Sequence, residues 1–395
     1  MATATTGKET SLEDLIRLLP DPQAPLPPLS QNIYTVVTWL VYLVYLSIVP
    51  IYLPYLILLH ILLPRPFPSW TLSQRINTRL SKLQSTLLAW WLPPILFDEW
   101  KVEVWKMYTD ETETGKLEVE IVSLPPIDEK MVVSSLLDVR PAVRPGFMII
   151  PKDTVYQPVT KARVILHIHG GGYIRGHPLW TSFPVDIARA TGMPCLSVCY
   201  RKTLESSSAF PAPLYDALSA YLYLTQTYPG SSVLLLAESA GGHLALLLSR
   251  YIRHFSLPQP GYIALLSPWA DLSMSYPSYK SNKDYDTLCP RRLRTAVNSA
   301  MRYFIPAALK TEWFSPANAE SKSWSYLKEE RVKVYIQYGG RELFRDEIVS
   351  LAERMKGAGV ETTLREDVDG LHTAGLSEPR AKNTFQEDLL GMLKA

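Results

Sequence analysis

The sequence has few cysteines, no long basic run and no acceptor motif for N-glycosylation. Its three cysteines are Cys195, Cys199 and Cys289, and their spacing fits neither a zinc site nor a disulfide framework. The net charge is only +2 and no basic run exceeds two residues, which argues against nucleic acid as a partner. The absence of an N-x-[ST] motif is compatible with a cytosolic domain.

Charge is also absent from one long apolar segment, residues 32–64, which contains no Asp, Glu, Lys or Arg. A helix needs about 20 apolar residues to cross a bilayer core. A longer run without a polar face has no side to offer to water, which disfavours the alternative of a buried core helix. A secretory signal peptide would be shorter and would follow a basic stretch. We therefore expect a membrane anchor, with membrane lipid as its partner.

Two prolines, Pro50 and Pro54, interrupt the apolar segment. Each removes a backbone donor and is expected to kink a helix. A single kinked span is the simplest interpretation, and a monotopic hairpin is the alternative. Within about 20 residues of the segment, only Arg17 precedes it, whereas four basic residues follow it: Arg65, Arg75, Arg79 and Lys82. This bias places the large domain in the cytosol.

Composition and residue pattern divide the chain into four parts. Residues 1–31 are polar and then proline-rich, with one short helical stretch at residues 11–19, and as a whole predict a flexible tail. Residues 32–64 are the expected anchor. Residues 65–116 contain an amphipathic pattern between Trp70 and Trp91, typical of a helix at a membrane surface or over a pocket, and then a linker. Residues 117–395 form the large domain.

The large domain alternates short apolar strands with helical stretches. Such alternation predicts an α/β fold with a mostly parallel sheet and helices on both faces. Residues 273–331 are too long for a plain crossover between two strands. We expect them to form part of a pocket wall.

A serine lies where one predicted strand meets the next helix, in the sequence AESAGG. Ser239 in this position has the arrangement of a nucleophile elbow, in which the flanking residues must be small. The pattern is A-x-S-x-G, with Gly241 at the usual glycine and Ala237 in place of the first one. Because alanine resists a positive φ, we expect an ordinary backbone at Ala237.

A glycine triplet, Gly170–Gly172, follows an earlier apolar strand. Glycines allow backbone N–H groups to face a substrate oxygen, and the amides of Gly171, Gly172 and Ala240 are the expected oxyanion hole. His169, which precedes the triplet, is expected to shape the loop by hydrogen bonding.

In an α/β fold with a nucleophile elbow, the acid and then the histidine base should follow the serine along the chain. His372 follows a late strand, and the other histidines after the serine lie on its own helix. It is therefore the expected base. Glu342 and Asp346 both follow the preceding strand and are the two candidates for the acid.

At these residues the chain resembles the hormone-sensitive-lipase-like branch of the α/β hydrolases. The resemblance covers roughly residues 160–395, with HGGGY at 169–173, YR at 200–201, FPAPLYDA at 210–217, ESAGGHLA at 238–245, SPWADLS at 267–273 and DGLH at 369–372. Glu238 stands where the family usually has Asp beside the serine. Aligning Gly339 with the family's G-x-x-D-x-L pattern places Glu342 on the acid and makes Asp346, the alternative, structural.

The resemblance implies a serine hydrolase that cleaves carboxylic esters through an acyl-enzyme, without a metal or cofactor. Together with an N-terminal anchor, the layout is most similar to fungal steryl acetyl hydrolases. This implies a short-chain ester, such as an acetate, of a hydrophobic alcohol such as a sterol or terpenoid. The alternatives are a tailoring hydrolase of secondary metabolism and a non-catalytic ligand-binding protein. The expected membrane is the endoplasmic reticulum, although related anchored esterases have a luminal domain, which disagrees with the charge bias.

Overall fold

The computed structural model describes residues 11–16, 31–63, 67, 69–91, 115–152 and 163–394. Its centre is an eight-stranded sheet in the order β1-β2-β4-β3-β5-β6-β7-β8. The strands are β1 Leu117–Leu124, β2 Arg144–Pro151, β3 Val164–Ile168, β4 Cys195–Val198, β5 Val233–Glu238, β6 Tyr262–Leu266, β7 Lys333–Gly339 and β8 Thr362–Asp367. Only β2 pairs antiparallel with its neighbours, β1 and β4. The predicted α/β fold with a mostly parallel sheet is confirmed.

Helices cover both faces of the sheet. The helices of the described residues, including those that do not cover the sheet, are α1 Gln31–Leu62, α2 Leu72–Trp91, α3 Phe183–Thr191, α4 Ala212–Thr225, α5 Ala240–His254, α6 Ser278–Ser281, α7 Pro290–Ala300, α8 Ser325–Glu329, α9 Arg345–Gly357, α10 Ala374–Ser377 and α11 Pro379–Lys394. Helices α4, α5 and α9 bury apolar side chains in the core on one face. Helices α3 and α11 do so on the other face. The central strands β3, β5 and β6 are buried along their whole length, as a sheet covered on both sides requires.

The long connection between β6 and β7 does form part of a pocket wall. It contains α6, α7 and α8, joined by turns and 3-10 segments. Thr287, Leu288 and Cys289, together with the first turns of α7, line the cavity at the carboxyl end of the sheet. This position agrees with the expectation from the length of the connection.

Helix α1 continues without interruption through Pro50 and Pro54. The hairpin considered for this segment is therefore not observed, because there is no turn at either proline. Residues Trp39–Leu62 form a helix that is long and apolar enough to cross a membrane. Helix α2 packs along α1 and also contacts the large domain, where Arg79 donates a 3.0 Å hydrogen bond to the carbonyl oxygen of Asp284.

The expectation of a flexible tail is wrong for residues 11–16. Glu13–Leu15 form a 3-10 turn, and both Leu12 and Leu15 are buried. The N–H of Ile305 donates a 3.0 Å hydrogen bond to the carbonyl oxygen of Leu15, and Ile16 pairs with Phe304. The apolar side chains of this short stretch dock on the large domain because burial removes them from water. The rest of the tail, and residues 92–114 of the expected linker, lie outside the described residues.

Candidate active site

Ser239 lies at the corner between β5 and α5, with φ 54° and ψ −123°. A positive φ is unfavourable for a residue with a β-carbon and persists only where the surroundings impose it. Here the N–H of Ser239 donates to the carbonyl oxygen of Leu266 at 3.0 Å, and its own carbonyl oxygen accepts from the N–H of Trp269 at 2.9 Å. These two hydrogen bonds tie the strained corner to the end of β6.

The residues around the serine are small for a steric reason. A β-carbon on Gly241 would come within 2.0 Å of the carbonyl oxygen of Ile168, so only glycine allows α5 to approach β3 this closely. Ala237 lies inside β5 and pairs with Leu265 in regular register. Its backbone is that of an ordinary strand, as expected for alanine.

His372 and Glu342 lie beside the serine hydroxyl in one hydrogen-bonded line. The Nε2 atom of His372 is 2.9 Å from Ser239 Oγ, and Nδ1 is 2.9 Å from Glu342 Oε2. A neutral imidazole satisfies both contacts when Nδ1–H donates to the carboxylate and Nε2 accepts from the hydroxyl. In this tautomer Nε2 is ready to take a proton from Ser239.

Glu342 is fully buried at the end of β7. Burial raises the pKa of its carboxyl above the usual value, and the hydrogen bond from His372 opposes this shift. The second carboxylate oxygen accepts from the N–H of Gly339 at 3.3 Å. The side chain is thus held by its own loop while it faces the imidazole.

The alternative acid, Asp346, lies elsewhere. It is in the first turn of α9, where its Oδ1 accepts from Arg345 Nε at 2.7 Å. Its backbone N–H donates to Ser278 Oγ at 3.2 Å. The geometry therefore brings Glu342, and not Asp346, to the histidine.

The glycine triplet lines the cavity next to Ser239. Gly171 and Gly172 have φ of 116° and 64°, and a β-carbon on Gly171 would lie 2.1 Å from the carbonyl oxygen of Arg175. The N–H of Gly170 donates to Glu238 Oε1 at 2.8 Å and so is occupied. Within the part of the chain that the structure describes, the amides of Gly171, Gly172 and Ala240 donate no hydrogen bond. Ala240 also begins α5, where the helix dipole favours negative charge.

His169 maintains the shape of the glycine loop through its side-chain contacts. Its Nδ1 contacts the carbonyl oxygen of Gly170 at 2.7 Å and its Nε2 contacts Lys202 Nζ at 3.2 Å, while its ring stacks on Tyr200. Burial, and then the charge of Lys202, lower the pKa of His169 well below its usual value. The imidazole is therefore neutral and fixed in one orientation.

Glu238 has partners that the sequence did not reveal. Its Oε2 lies 2.9 Å from His167 Nε2, and His167 Nδ1 lies 2.6 Å from Ser197 Oγ. Together with the bond from Gly170, these contacts connect the glycine loop to β3, β4 and β5. The HIHG sequence places His167 and His169 on the same side of β3, but nothing in it names Glu238 as the partner of His167.

Asp286 is a second residue that sequence reasoning missed. It is fully buried; its Oδ2 accepts from the N–H of Leu343 at 2.7 Å, and its Oδ1 accepts from the N–H of His372 at 3.3 Å. One carboxylate thus joins the loop of the acid to the loop of the base. Its own carbonyl oxygen accepts from Lys82 Nζ of α2 at 3.2 Å, and burial lowers the pKa of Lys82.

The cavity at the serine has a volume of about 260 Å³. Its lining combines the reactive side chains with apolar ones, Ile174, Trp180, Trp269, Leu288 and Leu293, and with polar ones that include Ser85, Arg175 and Arg292. Ser85 belongs to α2, so the helix beside α1 contributes to the pocket. Among the described residues, no group of three or more His, Cys, Asp or Glu side chains is placed to bind a metal.

Comparison with known proteins identifies the family. A family model described as alpha/beta hydrolase fold matches residues 165–375. An acetyl-hydrolase of Streptomyces hygroscopicus is 30% identical over 216 residues, which cover 53% of this chain and 67% of that protein. Steryl acetyl hydrolase 1 of Saccharomyces cerevisiae is 25% identical over 219 residues, which cover 51% of this chain and 50% of that protein.

A solved structure shares the fold. An esterase from the bacterial hormone-sensitive lipase family superposes with a TM-score of 0.57 at 23% identity, covering 84% of this chain and 94% of that one. The residues matched by the family model make up more than half of the chain, and Ser239, Glu342 and His372 lie within that range. The chain therefore belongs to the α/β-hydrolase family, in its hormone-sensitive-lipase-like branch of carboxylic ester hydrolases.

Proposed function

We propose that the chain is a membrane-attached serine esterase that removes a short acyl group, such as acetyl, from a hydrophobic alcohol. Ser239 is the nucleophile, His372 the base and Glu342 the acid. The observation that carries the proposal is the line of two 2.9 Å contacts, from Ser239 Oγ to His372 Nε2 and from His372 Nδ1 to Glu342 Oε2.

The first half of the reaction forms an acyl-enzyme. His372 Nε2 takes the hydroxyl proton as Ser239 Oγ attacks the ester carbonyl carbon, and the carbonyl oxygen becomes an oxyanion. The N–H groups of Gly171, Gly172 and Ala240 donate to that oxyanion. The C–O bond to the alcohol then breaks, and the departing oxygen takes the proton from Nε2.

The second half releases the acid. A water molecule gives a proton to His372 Nε2 as its oxygen attacks the acyl carbon, which forms a second oxyanion. The bond between the acyl carbon and Ser239 Oγ then breaks, Oγ takes the proton from Nε2, and the carboxylic acid leaves. During both steps Glu342 accepts from Nδ1–H, which keeps the tautomer and stabilises the imidazolium. A fully buried carboxylate exerts this effect strongly because little water screens it.

The size and lining of the cavity support a short acyl group. A volume of about 260 Å³ lies just below the ~300–1,000 Å³ that is usual for pockets enclosing a drug-sized ligand. A bulky alcohol would therefore extend beyond the cavity, past the apolar side chains of Leu288 and Leu293. The names of two relatives, an acetyl-hydrolase and a steryl acetyl hydrolase, support an acetate and a sterol-like alcohol.

Attachment to a membrane is proposed from α1. Its segment Trp39–Leu62 has the length and composition for membrane insertion, and large apolar side chains along it are exposed. A hydrophobic ester dissolved in the same membrane would be concentrated beside the enzyme. The endoplasmic reticulum is the proposed membrane.

A serine-directed fluorophosphonate probe tests the nucleophile. We expect the wild-type chain to be labelled and Ser239→Ala to lose both labelling and about 10⁶-fold in kcat, as other enzymes with this triad do when the serine is removed. The control is Ser207→Ala, which changes an exposed serine outside the cavity. Labelling that persists in Ser239→Ala would disprove the assignment.

A substrate series tests the specificity. Hydrolysis of acetate, butyrate and palmitate esters of one sterol, presented in mixed micelles, should be fastest for the acetate. Equal or faster hydrolysis of the palmitate would contradict the proposed short acyl group while leaving the triad intact.

A further inference from the structure

We infer that α1 lies in the plane of the membrane surface instead of crossing the bilayer, with the N-terminal segment and the catalytic domain on the same side. This rests on the proposed membrane attachment and adds its geometry. The partner is one leaflet of a lipid bilayer. Three sets of contacts support the inference.

The first set runs along α1 itself. Gln84 Nε2 of α2 donates to Tyr42 Oη at 3.1 Å, and Arg75 of α2 donates to the carbonyl oxygen of Leu59 at 3.3 Å. At 1.5 Å per residue, Tyr42 and Leu59 are about 25 Å apart along the helix axis. Helix α2 therefore accompanies α1 over nearly the ~30 Å thickness of a bilayer core.

The second set fixes α2 to the catalytic domain. Trp70, just before α2, donates to the carbonyl oxygen of Asp369 at 2.9 Å. Arg79 and Lys82 donate to the carbonyl oxygens of Asp284 and Asp286 at 3.0 and 3.2 Å. If α1 crossed the bilayer, α2 and the loops bound to it would be carried into the hydrocarbon.

Such burial in lipid is unfavourable. Arg and Lys side chains are strongly disfavoured at the centre of a bilayer, and irregular backbone does not face lipid tails. The loop of Asp284 and Asp286 is irregular. With α1 in the plane of the surface, the same cations remain at the protein side of the helix pair.

The third set concerns the chain ahead of α1. Leu15 and Ile16 bond to Ile305 and Phe304 of the catalytic domain. A spanning α1 would place the residues before Gln31 across the membrane from that domain. Residues 17–30 would then have to return through the bilayer to reach Phe304, which the same backbone rule excludes.

The exposed side chains of α1 fit a lipid-facing surface. From Ile51 onward they recur every three or four residues, at Ile51, Tyr55, Leu58 and Ile61–Leu62. Ile51 is 78% exposed and Ile61 is 71% exposed, whereas Leu56, between them, is buried. Ser85 of α2 lines the cavity, so the helix that packs against α1 also borders the pocket.

Depth measurements distinguish the two orientations. A fluorescent label is attached to Leu43→Cys, Ile51→Cys or Leu62→Cys in the full chain with Cys289→Ser; Cys195 and Cys199 are buried and stay. The proteins are reconstituted in phosphatidylcholine vesicles containing nitroxide-labelled lipids. An in-plane helix gives three similar, shallow depths, about 5–10 Å below the headgroups.

A spanning helix gives a different profile. Ile51 would be deepest, by about 12–16 Å relative to the two flanking labels, and that result would overturn the inference. Tags at the two chain ends provide a second measurement on sealed microsomes. Equal sensitivity of both tags to added protease supports the inference, and protection of only one tag overturns it.

The outcomes separate the inference from the proposed function. A spanning profile together with esterase activity would overturn the orientation alone. Failure of the chain to sediment with vesicles would overturn membrane attachment and the orientation together. Loss of activity toward a soluble ester in Ser239→Ala is measured without vesicles and depends on neither.

Discussion

Two buried glutamate–histidine pairs lie on either side of Ser239, and they differ in what the histidine meets next. Glu238 contacts His167, whose other ring nitrogen contacts Ser197 inside the sheet. Glu342 contacts His372, whose other nitrogen contacts Ser239 at the cavity. The carboxylate–imidazole distance is 2.9 Å in both pairs.

The difference shows that the contact alone does not identify a catalytic pair. In the first pair every polar atom is used to hold β3, β4 and the glycine loop together. In the second pair the imidazole nitrogen borders a space that a substrate can enter. The first pair is expected to position the loop, and the second to move protons.

Among the replacements considered for the two pairs, that of Glu342 should lower kcat the most. Glu342→Gln keeps the shape but favours the wrong imidazole tautomer, because its amide donates toward Nδ1. We expect kcat to fall by about 10⁴-fold, as for the equivalent change in other triads. The matched control, Asp346→Asn on the same segment, should change kcat by less than threefold, roughly the size of a surface effect. A large loss in Asp346→Asn with little in Glu342→Gln would reverse the assignment of the acid.

Replacement of Glu238 should have a smaller effect, through geometry. Glu238→Gln leaves one oxygen to accept from Gly170 and presents an amide to His167. A shift of the glycine loop by about 1 Å would lower kcat by up to about 10²-fold, while fluorophosphonate labelling persists at a reduced rate. If Glu238→Gln lowers kcat as much as Glu342→Gln, the contrast between the two pairs is lost.

The variant Asp286→Asn tests whether a residue outside the second pair positions His372 and Glu342. Asp286→Asn retains one acceptor oxygen, so the N–H of either Leu343 or His372 loses its partner. An unmade hydrogen bond to a buried N–H costs about 1–3 kcal/mol, and we expect kcat to fall about tenfold with KM nearly unchanged. A change confined to KM would contradict a positioning role.

The contribution of Glu342 to the free energy of unfolding should depend on pH. Because the pKa of Glu342 is raised in the folded chain, the native state binds more protons than the unfolded state between the usual value and the raised one. The ionised carboxylate therefore lowers the free energy of unfolding as pH rises through this window, and its cost is absent below the usual value of 4.5.

Urea unfolding of wild type and Glu342→Gln, measured in detergent at pH 4.5 and pH 8, checks the sign. The free energy of unfolding of the variant minus that of wild type should be more positive at pH 8. A difference that is constant, or more positive at pH 4.5, would show that burial does not raise this pKa.

Most of the fold and the centre of the site followed from local patterns. The strands are continuous apolar runs, and Ser239 and Gly170–Gly172 belong to short motifs whose steric demands are local. His372 followed from chain order. The strands and the two motifs are encoded by residues that are close together in the chain, so a single sequence is sufficient to find them.

The contacts that the sequence did not predict join residues far apart in the chain. Asp286 meets His372, and Leu15 meets Ile305, through hydrogen bonds that leave no periodic signal. The helical stretch that begins at residue 11 is too short for its sequence to show that it docks on the large domain. The uninterrupted α1, by contrast, matches the simpler interpretation of its segment, a single helix, because proline removes one hydrogen bond without forcing a turn.

The contacts of α2 limit how the chain can be shortened for crystallisation. Removing residues 1–63 would take away the carbonyl oxygen of Leu59, which accepts from the buried Arg75 of α2, and would uncover the surface at Phe304 where Ile16 pairs. Removing everything through Trp91 would also delete Ser85 from the cavity wall and the donors Arg79 and Lys82. A water-soluble form that keeps its substrate preference should therefore begin before Phe67, with polar residues substituted on the newly uncovered face.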